Sequence, residues 1–185
     1  MCGIYLTNFH FSYKQIENKL ETIKFRGPDY IGIKKIDDVS FGHLRLSILD
    51  LDVRSNQPMN FGNFTIVFNG EIYNYKEIKK ELTDLGYTFN TSGDTEVLLK
   101  GYKEWGEKLV LKLNGMFAFA IYDSVTKKIF CSRDRLGVKP FYYYWEDGKF
   151  EICSQLRPIS QDKQVNEDAV SMFLDCTYIP SPFTI

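Results

Sequence analysis

Two histidines and four cysteines are all that this chain of 185 residues offers to a metal ion or a disulfide framework. Cys2, Cys131, Cys153 and Cys176 form no C-x-x-C pair and keep no regular spacing, so neither a zinc site nor structural disulfides are expected. No run approaches the ~20 apolar residues that span a bilayer. Met1-Cys2-Gly3-Ile4 lacks the basic start of a secretory signal, and a cytoplasmic location without a membrane partner is the expectation. A surplus of one charge is missing too: 23 basic residues stand against 24 acidic ones, a net charge of -1. Nothing therefore draws the chain to nucleic acid. Internal repeats and low-complexity segments are also absent.

What is present suits one domain with a full core, since 44% of the residues are hydrophobic and 16% aromatic. Ile16, Leu20 and Ile23 recur at i, i+4, i+7, as do Ile78, Leu82 and Leu85, which predicts amphipathic helices over 13–24 and 75–85. A third helix is expected to begin at Ser92–Asp94, capped by either residue, and to run through Val97, Leu98, Tyr102 and Trp105. A short fourth spans Asn166 to Asp175.

Strand-like runs lie at Gly3–Leu6, Phe41–Ile48, Phe64–Phe68, Met116–Tyr122, Lys128–Ser132, Phe141–Trp145 and Phe150–Cys153. Met116–Tyr122 is apolar throughout, so its sheet needs cover on both faces. Residues 123–127 form a hairpin connection, which makes the pairing antiparallel. The architecture that satisfies both demands is α+β, two antiparallel sheets packed together between helix layers. Pro180 and Pro182 favour an extended linker, and the apolar end Phe183-Thr184-Ile185 suggests that 161–185 lead into a further domain.

Cys2 is the first candidate for chemistry. If Met1 is trimmed, as a small second residue permits, one residue carries both an α-amine titrating near about 8 and a thiol near about 8.5, so the amine can take the thiol proton. Taken singly, the other candidates have ordinary readings: Arg45 a surface charge, Asp94 a helix cap, Asn69-Gly70 a hairpin turn, Glu71 a solvated side chain. Cys131, Cys153 and Cys176 are expected to be buried packing residues. Tyr142-Tyr143-Tyr144 and Trp145 are expected to pack on a sheet.

Five blocks stand in register: Met1-Cys2-Gly3-Ile4, Arg26-Gly27-Pro28-Asp29, Gly42-His43-Leu44-Arg45-Leu46-Ser47-Ile48, Phe68-Asn69-Gly70-Glu71-Ile72-Tyr73-Asn74 and Ser92-Gly93-Asp94-Thr95-Glu96. Their order and spacing resemble the class II glutamine amidotransferases, which are N-terminal-nucleophile hydrolases. The likeness is strongest to the glutaminase domain of glutamine-hydrolysing asparagine synthetases, through Leu113–Ala120 and Ser132–Pro140 as well. It covers roughly residues 2–160.

The resemblance implies a four-layer αββα sandwich and hydrolysis of L-glutamine to glutamate and ammonia through a thioester on Cys2. It makes Arg45 the clamp for the substrate carboxylate, with Asp94 and Glu71 at the ammonium end, and Asn69 and Gly70 the oxyanion donors. Leu46, Ser47, Ile48 and Leu49 line the glutamine pocket. Arg26-Gly27-Pro28-Asp29 supports the site, and His43 is structural.

No cofactor is implied in this chain. ATP and magnesium belong to a synthetase domain, in the same protein or as a separate partner, because no Ser-Gly-Gly-x-Asp-Ser nucleotide loop occurs here. That domain would use the ammonia for asparagine biosynthesis, and a homodimer is left open. Leu44, where a basic residue is common, and Asn56, where histidine is frequent, depart from the pattern outside the catalytic set. Two other readings stand beside this one: an amidotransferase for a different acceptor, such as a polysaccharide sugar precursor, and a non-catalytic glutamine-sensing module.

Overall fold

Strand β1 (Gly3–Thr7) is buried along its whole length because strands flank it on both sides and packed layers cover both its faces. In this computed structural model, which describes residues 1–162 and 164–180, β1 is the middle of a five-stranded sheet ordered β2-β3-β1-β9-β8. Its other members are β2 (Tyr30–Ile36), β3 (Val39–Arg45), β8 (Tyr142–Glu146) and β9 (Lys149–Cys153). The second sheet is ordered β4-β5-β6-β7, from β4 (Met59–Phe61), β5 (Phe64–Ile72), β6 (Gly115–Asp123) and β7 (Lys128–Arg133). All neighbours pair antiparallel.

Alternation along each strand sorts residues between layers. Ile4 and Leu6 of β1, Phe41 of β3, Val67 of β5, and Ala120 and Tyr122 of β6 fill the space between the sheets. Tyr5 and Leu44 point the other way, onto Ile16 and Leu20 of α1 (Tyr13–Glu21) and onto Ile23 beyond it. On the far side, Phe68, Ile72, Phe117 and Phe119 meet Ile78 and Leu82 of α2 (Tyr75–Asp84) and Val97, Leu98 and Leu99 of α3 (Asp94–Trp105). The order helix, sheet, sheet, helix is the expected αββα sandwich. Helix α1 starts at a capping box in which Ser12 and Gln15 satisfy each other's backbone amides, and Asn166 caps α4 (Glu167–Cys176).

Several expectations need correction. Helix α1 stops at Glu21, and Lys24–Arg26 tightens into a 3-10 turn. Gly93, with no side-chain bond, caps α3 in place of Ser92 or Asp94. Strand β3 ends at Arg45, so 46–48 leave the sheet, while β5 continues to Ile72 and carries Asn69-Gly70 as strand rather than turn. Strands β2 and β4 add to the expected runs: β2 is an edge strand of 7 residues that carries Gly32 within it, and β4 has only 3 residues.

Cys153 is buried, but Cys131 and Cys176 are exposed, on the edge strand β7 and the last turn of α4. Tyr143 and Trp145 are 72% and 66% exposed because β8 is also an edge, although Trp145 stacks on Phe150. Residues 181–185 of the expected linker lie outside the described ones. Among the described residues no helix is long and apolar enough to cross a membrane.

Phe41 is fully buried between the sheets, so Phe41→Ala should cost about 3–5 kcal/mol. Ser12→Ala, which removes only the cap of α1, should cost about 1 kcal/mol. Urea unfolding at neutral pH checks both: the midpoints should separate clearly while the slopes stay alike.

Candidate active site

The residues that point between the sheets at one end of the sandwich converge on a cleft of about 90 Å³. Cys2 precedes β1 in the same alternation as Ile4 and Leu6, and Arg45 closes β3 in the alternation of Phe41 and His43. Asn69 and Glu71 extend the inward series of Val67 on β5. Cys2, Arg45, Leu46, Ile48, Leu49, Asn69, Gly70, Glu71 and Asp94 all line the cleft, and Met1 is part of its wall. Ser47 does not line it; its amide donates to Asp29 Oδ2 at 2.7 Å, outside the cleft.

Strand β5 outruns its neighbour β4, whose last partner is Ile66. From Phe68 onward every second amide therefore faces away from β6 with no strand to receive it. The Phe68 N–H donates to Gln57 Oε1 at 2.6 Å and the Ile72 N–H to Asp94 Oδ2 at 3.0 Å. Between them the Gly70 N–H points the same way and meets no acceptor among the described residues. Beside it, Asn69 is 1% exposed and its Nδ2 has no partner. A buried donor without an acceptor, as Asn69 Nδ2 is, is costly unless a ligand supplies one. A Cβ at Gly70 would stand 2.3 Å from Met116 O, so only glycine lets β6 approach here.

Arg45 organises the loop that follows it. Its Nη1 donates to Asp52 O at 2.9 Å and Asn56 Oδ1 at 2.6 Å, and its Nη2 donates to Asp50 O. Nε and one Nη2 proton remain without partners among the described residues. A guanidinium with spare donors of this kind is suited to binding a carboxylate. Asn56, a departure from the pattern, is thus a direct support of Arg45.

Asp50 also accepts from Ser92 N–H at 2.6 Å, a bond that holds its carboxyl down at about 2 and ties this loop to the start of α3. Glu96, paired with Lys100 at 2.6 Å, gathers the amides of Asn90 and Thr91 and fixes the next stretch of wall.

Behind the Cys2 side chain, Arg26 Nε donates to Cys2 O at 3.0 Å. Gly27 lets this turn lie against β3, where a Cβ would stand 2.4 Å from Leu44 O. Leu44 itself faces α1 and packs there. The loop after β7 folds around buried Asp134, which accepts from the amides of Phe117, Val138 and Lys139. It delivers Lys139 to the cleft, with Nζ 3.1 Å from Met1 Sδ.

Burial pushes the Cys2 thiol up, while the Leu46 N–H, 3.4 Å from Sγ, and the nearby amine and Arg45 pull it down. The terminal amine is lowered by burial and then by Arg26 and Lys139. Burial lifts Asp94 to about 6 against the pull of the Ile72 N–H, with Glu71 adding repulsion. His43 is fully buried and burial lowers it to about 4. Its ring is therefore neutral, with Nε2–H donating to Phe68 O at 3.2 Å as a strut between the sheets. Among the described residues no cluster of three or more His, Cys, Asp or Glu is placed to hold a metal ion.

Gln57, Asp50 and Lys139 have no role in the sequence reading, and Asn56 enters it only as a departure outside the catalytic set. Nothing in the local sequence sets these residues apart from other polar ones; only the Ser132–Pro140 block points near Lys139.

The glutamine amidotransferase domain family matches residues 1–185. A putative glutamine-hydrolysing asparagine synthetase 2 of Methanocaldococcus jannaschii is 40% identical over 93% of this chain and 38% of its own length. Asparagine synthetase 1 of Bacillus subtilis is 37% identical over 92% of this chain and 28% of its own. The chain thus spans well under half the length of either relative. Among solved structures, the glutamine phosphoribosylpyrophosphate amidotransferase of B. subtilis superposes with a TM-score of 0.71 at 18% identity, over 83% of this chain and 42% of that one; this likeness is one of fold.

Because Asp94 titrates higher folded than unfolded, its charge costs stability above pH 6, and the cost fades as pH falls toward 4. Asp94→Asn, which can still accept from Ile72 N–H, should stabilise the ligand-free chain by about 2 kcal/mol at pH 8 and hardly at all at pH 4. Unfolding titrations at the two pH values test this.

Proposed function

We propose that this chain, which belongs to the glutamine amidotransferase domain family, hydrolyses the side-chain amide of L-glutamine through a thioester on Cys2. The observation that carries the reading is the pair of unpartnered donors, Asn69 Nδ2 and the Gly70 N–H, in the same cleft as the Cys2 thiol. Donors left waiting in a ligand-free site suit an oxygen that becomes charged only during reaction.

The spare donors of Arg45 take the substrate α-carboxylate, and Asp94 with Glu71 takes the α-ammonium. Removal of Met1 clears part of the cleft and frees the Cys2 amine as base. Sγ attacks the amide carbon and its proton passes to the amine. The C=O electrons move onto oxygen, held by Asn69 and Gly70. Collapse expels ammonia, which takes the proton back from the amine. Water then attacks the thioester, assisted by the same amine, to give glutamate and regenerate the thiol. The cycle uses no cofactor of this chain.

The acceptor lies outside these residues. Both relatives are glutamine-hydrolysing asparagine synthetases by name and extend far beyond the matched region. This supports ammonia delivery to an ATP- and magnesium-dependent synthetase domain, with residues 161–185 leading into it or a separate partner supplying it. On this reading the product in the whole protein is asparagine, and the site of action the cytoplasm.

Glutamate release from L-glutamine, with Met1 removal verified by intact mass, is the direct test. Cys2→Ala should abolish it, and release that persists in this variant would remove Cys2 from the mechanism. Asn69→Ala should lower kcat about 10²–10³-fold while folding stability changes by less than about 1 kcal/mol, since the deleted donor has no partner to lose.

A further inference from the structure

We propose that Lys139 is a positioning residue of this site: its ammonium, held against the N-terminal residue without a carboxylate partner, poises the amine and thiol of processed Cys2 in their deprotonated forms. The inference rests on the amidotransferase reading above and adds a residue to it.

Lys139 is 5% exposed, lines the cleft, and has its Nζ 3.1 Å from Met1 Sδ. The ion pairs among the described residues do not include it. A lysine is seldom buried unpaired, and here the residue it faces, Met1, is the one that trimming removes, so that Nζ is left in the cleft that holds the new terminus on Cys2. Its backbone is held by other means: Arg133 donates to Lys139 O at 2.6 Å and Asp134 accepts its amide at 2.9 Å. The position of the loop therefore does not depend on Nζ.

The charges around Cys2 come from every element packed there. Arg26 approaches from the turn after α1, Arg45 from the end of β3, Glu71 from β5, Asp94 from the start of α3 and Lys139 from the loop after β7. Arg45 is committed to its loop and a substrate carboxylate, and Arg26 to the Cys2 carbonyl. The acids oppose thiolate formation, Asp94 among them. Lys139 adds to Arg45 a second cation against them, one whose ammonium is tied to no carboxylate. A cation beside an amine disfavours its protonation and beside a thiol favours its ionisation, so one charge moves both groups the same way. Burial and Arg26 lower the pKa of Lys139 itself, while Cys2 and Glu71 favour its charged form.

The test compares wild type, Lys139→Met and Lys139→Arg, all with Met1 removed. Two pH profiles are measured: iodoacetamide alkylation of Cys2, followed by peptide mass, and kcat/KM for glutamate release. Lys139→Met should move the alkylation inflection and the acid limb of kcat/KM up by about one pH unit, and Lys139→Arg should restore both. Unchanged inflections in a Lys139→Met protein with wild-type thermal unfolding would overturn the inference, whatever happens to the rate. If Lys139→Met unfolds early, Lys139→Gln replaces it and the same reading applies. Alkylation needs no turnover, so a chain that releases no glutamate but shows the shift retains the role of Lys139 and loses the amidotransferase reading.

Discussion

The site depends on where a three-residue strand stops. Strand β4 pairs with β5 only as far as Ile66, and a backbone amide buried beyond that point must find an acceptor of another kind. Gln57 and Asp94 supply two such acceptors, one through Phe68 and one through Ile72. Both are side chains brought in from neighbouring segments, and each aligns its own segment by making the bond. The amide between them, on Gly70, is left free. A longer β4 would satisfy all these amides in one ladder and close the edge; the short strand instead turns the end of a sheet into a donor array.

Charge is arranged on the same principle. Arg45 is anchored by two main-chain carbonyls and the amide oxygen of Asn56, none of which carries a charge. Its full positive charge therefore remains available to a ligand. Asp94 is raised to about 6 by burial, a sign that its charge is poorly compensated. A poorly compensated carboxyl and an unpartnered donor destabilise the chain that carries them, and the core must offset this. The three hydrophobic layers are the reserve that allows it.

The supporting polar contacts are mostly between segments distant in sequence. His43 braces β3 against β5 in a neutral form that deep burial enforces, Arg26 holds the carbonyl of Cys2, and Asp134 folds the loop that carries Lys139. Each places a rigid contact behind a residue that lines the cleft. Loops 46–56 and 90–93, which lack regular structure over most of their length, are fixed through Arg45, Asp50 and Glu96.

Periodicity in the sequence determined the helices and most strands, because burying one stripe or two faces is a local demand that residue type records: Ile16, Leu20 and Ile23 could only face a core, and Met116–Tyr122 only a covered sheet. That Cys2, the Asn69-Gly70 pair, Arg45 and Asp94 belong together was legible as residue types in register, and the fold brings them to one cleft. Tertiary structure alone decided that Asn69-Gly70 is strand and not turn, that Gly93 and not Asp94 caps α3, and that Ser47 does not line the cleft. It also decided that Cys131 is exposed, that Asn56 supports Arg45, and that Lys139 reaches the first residue. The reason is physical: the direction of an amide and the partner of a charge depend on where neighbouring strands end and which loops cross, and no window of local sequence contains that information.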